Sequence, residues 1–260
     1  MRLRILPYNM TSESARVIAR GLGVLRVYPD DRSRFVPRRS DVVINWGCSR
    51  VPMWLGTCNH VLNHPLLVRL AVNKLTCMRT FKESTIPSPD WTEERSVAES
   101  WITQGNRVYC RTMLQGKGGE GIVIATSLDE IVDAKLYTKG VQNEKEYRVH
   151  VFDGRVIDYS KKGRKRDSEE RASHLIRNHA SGWVFIREGI QLPEVVAESA
   201  IRAVASLGLT FGAVDVCTLK GTQEQECVVF EVNTSPGMSK DSTTSYRYVE
   251  AIREYFRRCL

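Results

Sequence analysis

The sequence predicts a mixed α/β and α+β chain that opens on a short βαβ layer. Three observations carry this. The first 65 residues alternate strand-like runs with an amphipathic helix. A glycine-rich run, Gln115-Gly116-Lys117-Gly118-Gly119-Glu120-Gly121, lies between two apolar strand-like runs. Two strand pairs come after it, one about Asp153-Gly154 and one that carries acids on apolar strands.

Arg4-Ile5-Leu6 begins the first strand. Ser12 or Ser14 caps a helix through Ala15, Val17, Ile18 and Leu22, which Gly21 and Gly23 end. Leu25–Tyr28 and Asp41–Gly47 are further strands, and Pro52 and Pro65 separate the layer from the next helix. Asn73–Lys82 is that helix, with Leu75, Met78 and Phe81 on its apolar side, stopped by Ile86-Pro87-Ser88-Pro89. Val108–Leu114 and Ile122–Ala125 are strands. The glycine loop therefore connects strand to strand, which argues against a P-loop or a Rossmann fingerprint.

Glu146–Phe152 and Arg155–Lys161 form a hairpin about Asp153-Gly154. A two-residue turn then pairs Arg148 with Tyr159 and Glu146 with Lys161, and puts all four on one charged face. Residues 163–182 are polar and basic, a loop or flap. Pro193 opens a helix that Gly208 stops, and a last helix runs from about Tyr246 to Arg258.

The densest chemical signal lies on the last two strands. Asp215 sits in Phe211-Gly212-Ala213-Val214-Asp215-Val216, and Glu231 and Asn233 sit in Val228-Val229-Phe230-Glu231-Val232-Asn233. Glu231 and Asn233 are two apart and share a face; Phe230 and Val232 point to the core side. The polar segment Lys220–Glu226 reads as the loop that makes the strands antiparallel neighbours. Two carboxylates and an amide oxygen then converge, which is the donor set of Mg²⁺.

Charge and composition bound the rest. The chain has 260 residues and a net charge of +8. Residues 1–40 hold nine Arg against three acids, and residues 161–188 hold eight Lys or Arg against four acids. Such charge attracts nucleotides, acidic peptides or nucleic acid. No recognition helix, zinc finger or aromatic-basic RNA motif accompanies it, so nucleic acid enters only as an acceptor or a non-catalytic alternative. No apolar run reaches membrane-spanning length. Seven cysteines without a CxxC pair suit a reduced, cytoplasmic setting with thiols as core residues. His150 reads as a satisfied sheet histidine.

The order of parts is more specific than any one of them: a helix-start lysine, a strand cation, a glycine loop between strands, a cationic hairpin, then Asp…Glu-x-Asn. With Phe230-Glu231-Val232-Asn233-Thr234-Ser235-Pro236-Gly237 as its firmest motif, the sequence over about residues 70–240 resembles the ATP-grasp superfamily. It looks most like carboxylate–amine ligases that add glutamate to a ribosomal protein, and like compact ATP-grasp proteins encoded by some bacteriophages. The resemblance implies a shortened βαβ domain over residues 1–68, a central grasp subdomain over 69–136 and a C-terminal grasp subdomain over 137–260.

It also implies roles. Lys74 and Arg111 would bind nucleotide phosphate; Arg111 stands where the family usually has lysine. Gly118, Gly119 and Gly121 would cover the phosphates through backbone N–H groups. Thr138 and Lys139 fall where the adenine hinge belongs, although the family prefers Glu followed by an aromatic there. Glu146 would lie near the ribose. Arg148, Lys161 and Asn178 would act on the phosphates and acceptor. Asp215, Glu231 and Asn233 would hold two Mg²⁺ ions, which Mn²⁺ can replace. The implied reaction is ATP-dependent joining of a carboxylate to an amine through an acylphosphate, with small-molecule, peptide or modified-nucleotide substrates and a homodimer as a family tendency. Phosphate transfer to a hydroxyl is the alternative on the same site.

Overall fold

The computed structural model describes residues 2–30, 32–116, 119–164, 183–238 and 242–259. Its chain builds three sheets, and their arrangement brings the acids and cations of the sequence together.

The N-terminal layer holds β1 (Leu3–Pro7), α1 (Glu13–Leu22), β2 (Leu25–Arg26), β3 (Val42–Trp46) and β4 (His60–Leu62). Its strands run parallel in the order β2-β1-β3-β4. Ser12 caps α1 by accepting from the Ala15 backbone N–H at 3.3 Å, and Gly23 ends it at φ 69°. One face of the layer, with Ile5, Ile44 and Trp46, joins a core shared with Phe152, Phe211, Tyr248 and Ile252. Trp46 stacks on Phe211 at 5.2 Å between centroids and donates from Nε1 to Ser14 at 3.0 Å. Asn63 adds a polar clamp: it accepts from the Thr210 N–H and donates to the Phe211 carbonyl, each at 2.8 Å. The layer is thereby fixed to the C-terminal sheet by aromatic burial and by an amide that both donates and accepts.

Two helices come next, α2 (Pro65–Val72) and α3 (Lys74–Glu83). Pro65, expected to break structure, starts α2 instead; at a first helical position its missing N–H costs nothing. Asn73 caps α3, its Oδ1 accepting from Leu75 and Thr76 N–H groups at 3.1 and 3.2 Å. Cys77, Met78 and Phe81 of α3 pack into the large central core rather than into the small sheet.

The small sheet comprises β5 (Trp91–Thr92), β6 (Val108–Arg111), β7 (Ile122–Ala125) and β8 (Leu136–Lys139), in the antiparallel order β5-β8-β6-β7. It is covered by α4 (Arg95–Thr103), whose Ala98 and Ile102 share its core with Cys110, Ala125 and Tyr137. The subdomain boundary expected at 136/137 falls inside β8, which stays paired with β6 through Lys139.

The central sheet is antiparallel, β11-β10-β9-β12-β13. Its strands are β9 (Asn143–Phe152), β10 (Arg155–Arg164), β11 (Trp183–Ile186), β12 (Phe211–Leu219) and β13 (Cys227–Asn233). One face packs on α5 (Glu194–Ser206) through Val149, Val151, Val214, Val216, Val196 and Ala203. The last helix, α6 (Thr243–Cys259), packs toward the N-terminal layer. The charged part of the other sheet face is where the functional residues gather. Cys48, Cys58, Cys77, Cys110, Cys217 and Cys227 are buried free thiols, as core residues should be. Among the described residues no helix is long and apolar enough to cross a membrane.

Candidate nucleotide and metal site

Parity builds the site. On β9, Glu146, Arg148 and His150 alternate with Tyr147, Val149 and Val151, which are core. Arg148 opposes Asp215 of β12, and Asp215 opposes Glu231 of β13. Ala213 opposes Asn233 two residues along. The three oxygen-bearing side chains expected from the sequence therefore occupy neighbouring positions on two adjacent antiparallel strands.

A β-bulge at Phe230 sharpens this. Val216 pairs with Val229 and Asp215 with Glu231, so Phe230 is the extra residue. Val229 and Val232 fill the core, and Phe230, expected there, is only half-buried. The kink lets Glu231 leave the core side that strict alternation from Val229 would assign it.

Each carboxylate is held by cations. Arg148 grips Asp215 bidentately, Nε to Oδ1 at 2.7 Å and Nη2 to Oδ2 at 2.8 Å. The Lys162 ammonium donates to Asp215 Oδ2 at 3.1 Å and also pairs with Glu146. Lys74, at the start of α3, pairs with Glu231. Asn233 Nδ2 donates to Glu231 Oε1 at 3.1 Å, which leaves its own oxygen as an acceptor. Burial opposes ionisation of Asp215, but the Arg148 and Lys162 charges outweigh it and hold its carboxyl well below the usual carboxylate range. The Lys74 ammonium does the same for Glu231 against burial. Burial works against the Lys162 ammonium, yet Asp215 and Glu146 raise its pKa. Asp215, Glu231 and Lys162 are thus charged at neutral pH.

Arg111 completes the cluster. It ends β6 just before the glycine loop, and burial pushes its pKa down although Glu231 lies near enough to oppose that. Among the described residues its buried Nε has no hydrogen-bond partner. A buried guanidinium nitrogen with nothing to bond is costly. An anion placed there would satisfy it.

The hairpin expectation needs correction. The turn is as expected, with Asp153 at φ 48° and Gly154 at φ 71°. After two pairs the register shifts: Val156 faces Val151, but Asp158 faces His150, so Ile157 is bulged out. Every later residue of β10 changes face. Tyr159 opposes core Val149 and bonds the Ile190 carbonyl at 3.2 Å, while Lys161 opposes Tyr147. Lys162 takes the position assigned to Lys161. Its only sequence signal is its neighbour's, one residue away. His150 is buried and meets the Tyr248 hydroxyl at 3.2 Å, a satisfied sheet histidine.

The other candidates divide. Gly119 and Gly121 take φ 95° and 70°; a Cβ at Gly121 would come within 2.9 Å of Met113, so the loop's return onto β6 requires glycine there. Thr138 is buried and Lys139 turns to Asp90 at 3.6 Å; among the described residues neither bonds the carboxylate cluster. Both lie where the chain leaves the small sheet for β9. Gly118 and Asn178 lie outside the described residues, as does most of the 163–182 flap.

The donor set fits a hard divalent cation: two ionised carboxylates and an amide oxygen, with no thiolate or imidazole. Among the described residues no group of three or more His, Cys, Asp or Glu forms a metal cage, so any cation here needs further oxygens from water or from phosphate. Such sharing is the habit of Mg²⁺. Four cations, Lys74, Arg111, Arg148 and Lys162, surround three carboxylates, a balance suited to phosphate and metal arriving together.

A scan against protein-family models finds no match, and a search of curated protein sequences finds none either. Solved structures do match, along nearly the whole chain. The ATP-grasp ligase PsnB with its minimal precursor superposes at TM-score 0.70 and 13% identity, covering 98% of this chain and 99% of that one. The D-alanine–D-alanine ligase of Bacillus anthracis with ATP gives 0.67 at 15% identity, covering 100% and 98%. A RimK-domain ATP-grasp protein of Sphaerobacter thermophilus gives 0.63 at 14%, covering 96% of each chain. The chain has the ATP-grasp fold, with a parallel N-terminal layer and two antiparallel subdomain sheets.

Proposed function

We propose that this protein is an ATP-dependent carboxylate–amine ligase that works through an acylphosphate. The observation that carries the reading is the convergence of Asp215, Glu231 and Asn233 with Lys74, Arg148, Lys162 and Arg111, whose buried Nε has no partner among the described residues, at one place beside the glycine loop. Two of the named neighbours support it, since their descriptions are of ligases, and another structure of PsnB is described with Mg and ADP.

In this reading ATP lies between the small and central sheets. Thr138 and Lys139 border the adenine, and Glu146 lies near the ribose. Arg111, Lys74 and Lys162 bind phosphate oxygens, and backbone N–H groups of the glycine loop cover them. Asp215, Glu231 and Asn233 would hold Mg²⁺, or Mn²⁺, in one or two ions; bound there, the metal neutralises charge on the transferred phosphoryl group. Arg148 is fixed by Asp215 and stands ready to meet the charge that builds on the same group.

The substrate carboxylate attacks the γ-phosphorus, and the bond to the β–γ bridging oxygen breaks, releasing ADP. An amine then attacks the acyl carbon of the acylphosphate, phosphate leaves, and the amine proton passes to the medium. Water must be kept out meanwhile, which gives the glycine loop and the 163–182 segment their proposed role as lids. The substrates are a small molecule or a peptide; a precursor peptide accompanies one of the neighbours.

The test is ADP release measured over a panel of amino acids, peptides and modified nucleotides with Mg²⁺. A ligase gives ADP, phosphate and an amide only when both a carboxylate and an amine are present. A phosphorylated alcohol as the product, or binding of nucleic acid with no turnover on any pair, would refute the reading.

A further inference from the structure

The N-terminal layer has a second face, and it holds a cationic concavity that the ligase reading does not use. Residues 1–73 contain eleven arginines and no lysine; Lys74 is the first lysine of the chain. A need for charge alone would be met by either residue, whereas arginine alone offers a planar fork for two oxygens at once.

Several of these arginines meet in a concavity of about 470 Å³, lined among others by Arg2, Arg4, Arg34, Tyr28, Ser33 and Phe35. Arg2 and Arg4 share strand parity with Leu6, whose core includes Val27, Val43 and the edge of Phe35. Ile5, with opposite parity, faces the core shared with the central sheet. The concavity therefore opens on the side of the layer turned away from the carboxylate cluster.

Its charges are unevenly matched. Asp41 takes both Arg2 Nε, at 3.0 Å, and Arg2 Nη2, at 2.6 Å. Asp30 is taken by Arg32, at 2.6 Å. Among the described residues Arg4 bonds only its neighbour's carbonyl, Leu3 O, at 2.8 Å, and its guanidinium lies 5.7 Å from the Phe35 centroid, on the ring that Arg2 also covers at 5.3 Å. A guanidinium packed against a ring keeps donors at its rim for a ligand. Arg34 is exposed, and among the described residues no carboxylate pairs with Arg4 or Arg34.

We propose that this concavity binds a small molecule bearing two or more adjacent phosphate groups. Adjacent phosphates set several negative charges within one guanidinium's reach. Side chains of an acidic peptide cannot do so, because same-face carboxylates on an extended chain stand roughly 7 Å apart, twice the strand rise. The volume suits a nucleotide-sized ligand.

Calorimetric titration in metal-free buffer tests this, with inorganic tripolyphosphate and with ADP as probes. The expected result is a binding event on the wild-type protein that Arg34→Gln or Arg4→Gln weakens by about 10- to 100-fold, the loss of charge-assisted hydrogen bonds. Arg34→Lys should restore it only in part, and Arg148→Gln, in the other site, should leave it unchanged. Binding of ADP alone would assign a nucleotide, and binding of tripolyphosphate as well would assign the phosphate chain as the recognised part. Arg34 is exposed, so its variants should keep the wild-type melting curve, which is checked alongside. Unchanged binding in both arginine variants, no event in the wild type beyond the one Arg148→Gln removes, or preferential binding of a short polyglutamate peptide or single-stranded RNA would each overturn the proposal.

Discussion

The two hairpins of the central sheet, β12–β13 and β9–β10, each contain one bulge, yet only one shifts a candidate site residue for a reader of the sequence. In β12–β13 the extra residue is Phe230, and Asp215, Glu231 and Asn233 all lie on the same side of it. Their grouping rests on i, i+2 parity within a strand and on facing strands, and no count crosses the bulge. In β9–β10 the extra residue is Ile157, between the Asp153-Gly154 turn and the cation in question. Counting outward from the turn crosses the bulge and lands on Lys161 instead of Lys162. Parity within a strand is set by covalent geometry; register between strands depends on every residue since the turn.

The largest expected effect is at the β12–β13 hairpin. Glu231→Gln keeps shape and removes a charge, and should cut ADP release on the order of 10³-fold, as loss of a charge-stabilising group does. Steady-state ADP production checks it; more than a tenth of wild-type turnover would break the grouping.

Next is His150, two residues beyond Arg148 on the same face. Burial holds its pKa down to about 4 from 6.5. Between these values the unfolded chain binds a proton that the folded chain refuses, so stability should fall as pH drops from about 6.5 to about 4. The loss would be up to about 3 kcal/mol if no other group compensates. Denaturant melts across that window measure it, and His150→Gln should flatten the slope. An equal slope in the variant would show that the histidine is solvated.

The lysine pair comes third and separates the two registers most sharply. Lys162→Gln should lower ADP release on the order of 10²-fold, because Glu146 and Asp215 lose a shared cation. Lys161→Gln, half-buried on the opposite face and away from the carboxylate cluster, should change it less than about twofold. Reversed effects would mean that the turn count was right and the bulge absent. Smaller still, Gly121→Ala should slow turnover by about tenfold without unfolding the chain, since positive φ and the Met113 contact resist a Cβ at a cost of about 1–2 kcal/mol. Wild-type kinetics in that variant would detach the loop from the chemistry.

Much of the fold was legible for the same reason as the carboxylates. Ser12, Asn73 and Pro193 mark helix starts through local backbone chemistry, and Asp153-Gly154 marks its turn through positive φ. Helix α2 was hidden because Pro65 reads either as a break or as a first helical residue, and only the chain's path decides. The place of α3 in the central core was hidden for another reason: an apolar stripe of Cys77, Met78 and Phe81 does not say which sheet it will cover. In the site, Arg111 and Lys74 could be picked by position, but the orphaned Arg111 nitrogen is a property of packing that no sequence pattern expresses.

The central claim is that Asp215, Glu231 and Asn233 clasp a divalent ion beneath a nucleotide. Its most direct measurement is calorimetric binding of a non-hydrolysable ATP analogue with and without Mg²⁺, to the wild type and to Glu231→Gln. The account predicts that Mg²⁺ tightens binding to the wild type by at least about tenfold and has little effect on the variant. The same Mg²⁺ enhancement in both proteins would contradict it.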